Sequence, residues 1–282
     1  MKILKKLDWI KYYFKSVNGI VGFIILFTLF IGALMALFRL TQDPLVQNIQ
    51  FMLKPPSSHH IFGTDQFGRD IFARVMDGIR RSLLVSTMAV SIATIFGVSL
   101  GLFGGYFGTF FDSLIMRISD VFFAFPAILM ALAIVSSLGH SMYDTAIAIA
   151  IVYTPIFVRV TRGPVLAIRE TEYVKSARLL GFSAQKILFK QVLPNIMPTV
   201  LVQIALSLSW AILTESGLSF LGLGTQAPDA SLGLMVSESQ ALAAFAWWTF
   251  VMPSLFLVLA VVALNLVGDG LRDALDPTRR QI

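Results

Sequence analysis

The segment EYVKSARLLGFSAQKILFKQVLPN, Glu172–Asn195, concentrates charge in a chain that otherwise avoids it. Thr161-Arg162-Gly163-Pro164 just before it has the grammar of a helix start, with glycine at the cap and proline at the first helical position. This predicts a helix from about Val165 to Leu180. Gly181 suits the left-handed residue that follows a helix end. Ser183 can cap a second short helix running through Lys190, and Pro194 is expected to end it, with Asn195 and Pro198 marking the return to apolar sequence. The product is a bent helix–glycine–helix element over 161–195. Val174, Ala177, Leu180 and Phe182 supply apolar surface near the bend, and Arg169, Lys175, Arg178, Lys186 and Lys190 surround it. An apolar knob in a charged rim suits a docking surface for another protein. An amphipathic helix lying on acidic lipid headgroups fits the same spacing.

The sequence on either side decides the class. Only 13% of the 282 residues are charged and the mean hydropathy is +0.79, about half the charge of an ordinary soluble domain. A hydrocarbon layer of ~30 Å needs roughly 20 apolar residues in a helix, and inside it every backbone group must bond internally. The expected spans are 19–38, 82–104, 120–138, 143–160, 196–221 and 248–268. They make an all-α integral membrane domain with short ends at 1–18 and 269–282. The alternating segments of a β-barrel are absent. The first apolar run is too long for a signal peptide and reads as an uncleaved span. Of the 22 Lys and Arg residues, 16 fall on one side of this topology and six on the other. The bias predicts cytoplasmic N- and C-termini and an insert on the cytoplasmic side. The net charge of +6 is thus read as topology rather than nucleic-acid binding. With no cysteine, disulfides, thiol nucleophiles and Cys-based metal sites are excluded.

Several residues invite a functional reading beside a structural one. Ala89, Ala93, Gly97, Gly101 and Gly105, spaced by four, make a smooth ribbon for close helix packing, within this chain or against a partner. Pro126 and Pro155 are expected to kink their spans. Gln203, Ser207, Trp210 and Thr214 share one helix face. That face either lines a solute path or serves hydrogen bonds between helices. Glu215, one step off it, is an intramembrane carboxylate and a path candidate, or a group bonded to backbone or an outer-loop arginine. In the loop before the second span, Gly63-Thr64-Asp65 and Gly68-Arg69-Asp70 are read as a turn whose carboxylates bond local donors, with contact to an external protein as the alternative. His59 and His60 are expected in a solvated loop, with no metal site. Arg272 is expected to pair with Asp269 or Asp276.

Four stretches in order carry a resemblance. The insert resembles the cytoplasmic loop of the permease subunits of ABC importers, where a Glu-Ala-Ala…Gly…Leu-Pro pattern docks onto an ATPase. Ala177, Gly181, Leu193 and Pro194 match it, while Lys175, Ser176 and Gln191 depart from it. FGTDQFGRDIFARVMDGIRRSLLVS (62–86), SGLSFLGLGTQAPDASLGLM (216–235) and NLVGDGLRDALDP (265–277) are similar to the smaller, second permease of the dipeptide, oligopeptide and nickel importers. Leu232 stands where that family often has Trp. The resemblance implies a type I ABC importer permease in the bacterial inner membrane. It also implies a homologous second permease, two ATPase subunits that use ATP and Mg, and an external solute-binding protein. Glu172, Tyr173, Ala177, Leu180, Gly181, Phe182, Leu193 and Pro194 would form the coupling loop. The residues agree in one respect: the chain has no phosphate-cradling Gly-x-x-x-x-Gly-Lys-Ser/Thr loop, so an ATP motor must be another chain. A self-sufficient ion- or proton-coupled carrier is the competing class; such carriers often show inverted repeats, and none is visible here. No nucleophile pattern supports an intramembrane enzyme.

Overall fold

The computed structural model describes residues 8–275, and no β-strand occurs among them. A short helix α1 (Asp8–Tyr13) leads into α2 (Val17–Leu37), capped by the Ser16 hydroxyl. A loop with one 3₁₀ turn at Ile49–Phe51 precedes α3 (Ile71–Phe107). α4 (Thr109–Phe123) and α5 (Ala127–Leu138) follow, then α6 (Met142–Arg169). The insert holds α7 (Glu172–Leu179) and α8 (Ala184–Ile187), and passes through a π turn at Leu188–Val192 into α9 (Leu193–Phe220). α10 (Leu232–Ser239) and α11 (Trp247–Leu275) complete the chain. Five helices are long and apolar enough to cross a membrane, and the pair α4–α5, bent by 95°, makes a sixth span if counted together.

Five of the six expected spans fall on single long helices and the one at 120–138 falls across the bent pair α4–α5, but four local expectations fail. α3 begins eleven residues before position 82, because Asp70 caps it by accepting a hydrogen bond from Ala73 N at 2.8 Å and its charged first turns find tertiary partners. Pro126 breaks its span outright rather than kinking it. Thr161–Pro164 starts nothing: Gly163 and Pro164 lie within α6, which ends only at Arg169. Two cation anchors straddle Pro164 and hold the helix through it. Arg162 grips both oxygens of Asp112, and Arg169 donates to Gly105 O at 2.9 Å. Nor does Pro194 end a helix. It lies within one continuous helix that runs from Ala184 to Phe220, just after the π turn at Leu188–Val192, and that widened turn accommodates a residue with no N–H to donate.

α3 and α6 pack in step along the small-residue ribbon. An added Cβ at Gly97 would lie 2.4 Å from Phe157 Cβ, at Gly101 2.7 Å from Val158 O, and at Gly105 2.9 Å from Val165 Cγ1. The ribbon therefore serves packing within the chain. Replacing Gly101 by leucine must displace the α6 backbone, at a cost of at least ~1–3 kcal/mol. The expected result is a clearly lower melting temperature in detergent, beside little change for Gly163→Ala, whose Cβ meets nothing within 4 Å. Around this pair, α9 and α5 bury Ala131, Val135, Ala211 and Leu218 in one core cluster. α2, α3, α10 and α11 enclose a second around Leu29, Ile79, Leu232 and Leu264.

Candidate functional site

The insert is held to the bundle by its own apolar face. Val174 and Ala177 are buried with Ile187, Leu188 and Val192 against Leu102, Tyr106 and Val165. These two residues do not present surface near the bend, contrary to the sequence reading; they fasten the loop from beneath. Arg178 lies across the Tyr106 ring, 4.6 Å from its centroid. Tyr173 accepts from Asn195 Nδ2 at 3.3 Å, tying α7 to α9.

At the bend Gly181 has φ +78°, Phe182 N bonds Ala177 O at 3.1 Å, and Gly181 N bonds Arg178 O at 3.0 Å. These two bonds form a Schellman stop, and a side chain at Gly181 would be strained although the space around it is open. The Ser183 hydroxyl accepts from Lys186 N, as expected for the cap of α8. This geometry pushes Leu179 and Leu180 into the open, 89% and 73% exposed, with Tyr173, Phe182 and Phe189 exposed around them. Leu179 is missing from the sequence-based set. Its signal was its place in the last turn, opposite Val174 and Ala177. Leu193 is half-buried and Pro194 exposed at the foot of the loop. Lys175, 3.4 Å from Glu170, holds that carboxyl below the usual carboxylate range, with Arg169 contributing.

On α9 the four polar residues do not make one open face. Ser207 and Thr214 are buried, Gln203 donates to Ser207 Oγ at 3.0 Å, and Thr214 bonds Tyr153 OH at 2.9 Å. Trp210 is 63% exposed. Glu215 is 1% exposed and has hydroxyl partners rather than an arginine: Ser82 at 2.7 Å, Ser219 at 2.9 Å and Ser216 at 3.4 Å.

The loop motif at the opposite end is a welded turn. Asp65 accepts from Phe67 N, Arg69 N and Arg69 Nε. Thr64 bonds Lys54 N and Phe51 O, and its carbonyl accepts from Trp248 Nε1 at 3.2 Å. Gly63 and Gly68 have positive φ, and a Cβ on Gly68 would sit 1.8 Å from Asn48 O. His60 is not in a solvated loop: its side chain is largely covered and Nδ1 lies 2.9 Å from Asp70 Oδ2. No group of three or more metal-ligating side chains occurs among the described residues. Arg74, 1% exposed, reaches Asp65, Glu238 and the carbonyl of Pro228. Arg81 joins Asp77 to Asp229, with both guanidinium nitrogens 2.8 Å from the Asp229 oxygens. Arg69, Arg74, Arg80 and Arg81, four of the six basic residues on the minority side of the charge bias, thus each have a carboxylate partner in place. Asp276, one expected partner of Arg272, lies outside the described residues.

Residues 97–281 match the family described as binding-protein-dependent transport system inner membrane component. The chain is 44% identical over 263 residues to the dipeptide transport system permease protein DppC of Alkalihalophilus pseudofirmus, covering 93% of this chain and 86% of that one. It is 41% identical over 262 residues to the di/tripeptide transport system permease protein DppC of Pseudomonas aeruginosa, covering 91% and 86%. It is 42% identical over 222 residues to the glutathione transport system permease protein GsiD of Pectobacterium atrosepticum, covering 79% and 74%. Among solved structures, an inward-facing form of the MetNI methionine ABC transporter superposes with a TM-score of 0.59 at 14% identity, covering 72% of this chain and 96% of that one. The likeness to that last structure is one of fold.

Proposed function

The chain belongs to the family of binding-protein-dependent transport system inner membrane components, and from that premise we propose how it works in an importer of peptides. It is a multi-pass inner-membrane permease of the ABC importer class, with the type I permease fold and no ATPase activity of its own. Its relatives named for dipeptides, tripeptides and glutathione support a short peptide as cargo. In the proposed arrangement it pairs with a homologous second permease, and the two halves enclose one path. A solute-binding protein delivers cargo at the end that carries the Asp65–Arg74 network. Two ATPases use ATP and Mg at the other end, one of them on the insert of this chain, and both chain termini lie in the cytoplasm. On α9 the path candidates are Gln203, Ser207, Trp210, Thr214 and Glu215, and of these Trp210 is the one with an open side chain.

The observation that carries this reading is the Leu179–Leu180 knob. It stands on a Schellman bend, fastened from below by Val174 and Ala177, with the exposed basic residues Lys175, Arg178 and Lys186 on the same short segment and Lys186 Nζ 4.0 Å from the centroid of the exposed Phe182 ring. An apolar centre with a polar rim is the anatomy of a protein interface. The test is isolation of the tagged chain from its native membrane, followed by reconstitution. The expected result is co-isolation with ATPase subunits and a second permease, and dipeptide uptake that needs both ATP and the binding protein. Uptake by the chain alone, driven by a proton gradient, would overturn the proposal in favour of a carrier.

A further inference from the structure

Most charged side chains of this protein gather at its two ends. Asp120 on α4 and Arg159 on α6 do not. Arg159 lies ten residues before Arg169, the last residue of α6, or about 15 Å along the axis. On the α3–α6 contact it falls between the steps Gly97–Phe157 and Gly101–Thr161, well within the packed bundle. Its Nη2 donates to Asp120 Oδ1 at 2.7 Å, and the guanidinium carbon lies 4.0 Å from the centroid of the Phe123 ring. Both side chains are open, 50% and 62% exposed. The Arg162–Asp112 pair, nearer the helix end, is more covered.

An ionic pair open to hydrocarbon is costly, so such residues face protein or a water-filled cavity. On α4, Arg117 and Asp120 lie on one exposed side, with Ala124 just past its end, while Phe111, Leu114 and Ile118 lie on another; exposed Phe110 and Val121 mark the border between them. Gly163 and Ala167 continue the exposed stripe of Arg159 on α6. The apolar stripe of α4 suits lipid or a partner helix; the polar one, joined to Arg159, suits water.

We propose that Asp120 and Arg159 line the aqueous translocation path on the side of the bundle that carries the insert. The inference rests on the transport reading above and adds the wall along which cargo leaves. The natural chain has no cysteine, so single-cysteine variants report directly. Asp120→Cys, Gly163→Cys and Ile118→Cys are assembled with the second permease and ATPases in nanodiscs and exposed to the membrane-impermeant thiol reagent sulfonatoethyl methanethiosulfonate. Cysteines at 120 and 163 are expected to react at least tenfold faster than at 118, and trapping with ATP and vanadate is expected to change the rate at 120 at least fivefold. Gly163→Cys keeps the test valid if Asp120→Cys fails to assemble, since nothing lies within 4 Å of a Cβ there; the trapping arm is then read at 163. Rates at 120 and 163 no faster than at 118 overturn the proposal. So does fast labelling indifferent to trapping, which would place the pair at lipid headgroups. Dipeptide uptake by the unsubstituted importer is measured alongside. Lost uptake with the labelling pattern intact removes the peptide cargo and keeps the wall; intact uptake with slow labelling removes the wall alone.

Discussion

A chain carrying Leu179→Asp and Leu180→Asp is expected to fold and reach the membrane as the natural chain does, yet to lose its ATPase and its transport. Both side chains stand in solvent, so the substitutions touch no packing, and surface changes of this kind usually shift stability by less than about 0.5 kcal/mol. Their effect falls on the docked state. Central apolar anchors of an interface contribute roughly 2 kcal/mol or more each, and each 1.4 kcal/mol is a factor of about ten in affinity. Placing two carboxylates there adds the penalty of burying unpaired charge. The expected loss is on the order of 100-fold or more in ATPase retained per permease, with peptide uptake falling in parallel and the melting temperature unchanged. The reading of the insert is wrong if uptake stays within a factor of two of the natural chain.

The second large effect belongs to the opposite end. Arg74→Ala removes the cation that Asp65, Glu238 and the Pro228 carbonyl share. Arg69 still serves Asp65 at 2.6 Å but lies 3.6 Å from Glu238, so Glu238 loses its nearer cation. Removing one partner of a buried pair costs about 3–5 kcal/mol, which for a chain of this size means a fall of roughly 6–20 °C in Tm. Glu238→Gln in the same chain is expected to restore part of the loss, because it removes the orphaned charge. A melting temperature within 2 °C of the natural chain for Arg74→Ala would show that the network carries no load. The substitution also frees α10 from α3 on the surface proposed to receive the binding protein, so uptake at limiting binding protein is expected to fall more than uptake at saturation.

How much of this was legible depended on how local the physics is. Spans were legible because hydrocarbon sets their length and composition residue by residue. The bend at Gly181 was legible because positive φ selects glycine at a single position. The first turns of α3 were hidden. Asp77, Arg80 and Arg81 look like loop until Asp229 is brought to Arg81 from 148 residues away. Gly163-Pro164 misled for a related reason: the dipeptide that opens one helix can be carried inside another when Arg162 and Arg169 anchor it on both sides. The knob was half read. Spacing identified an apolar cluster, but assigning Val174 and Ala177 inward and Leu179 outward requires knowing where Tyr106 and Leu102 lie. The serine setting of Glu215 was half legible: Ser216 and Ser219 lie one and four residues away on the same helix, while Ser82 reaches it from another.

α3 runs unbroken for 37 residues, about 55 Å at 1.5 Å per residue. Its far end is cast into the Arg74–Glu238 network, and its near end is keyed through Gly105 and Arg169 to the root of the insert. A rod of that length is a mechanical amplifier: tilting it by some 5° sweeps its tip through about 5 Å. If the insert docks an ATPase as proposed, a small rotation at that end would be enough to open or shut a crevice at the other, with no hinge in between.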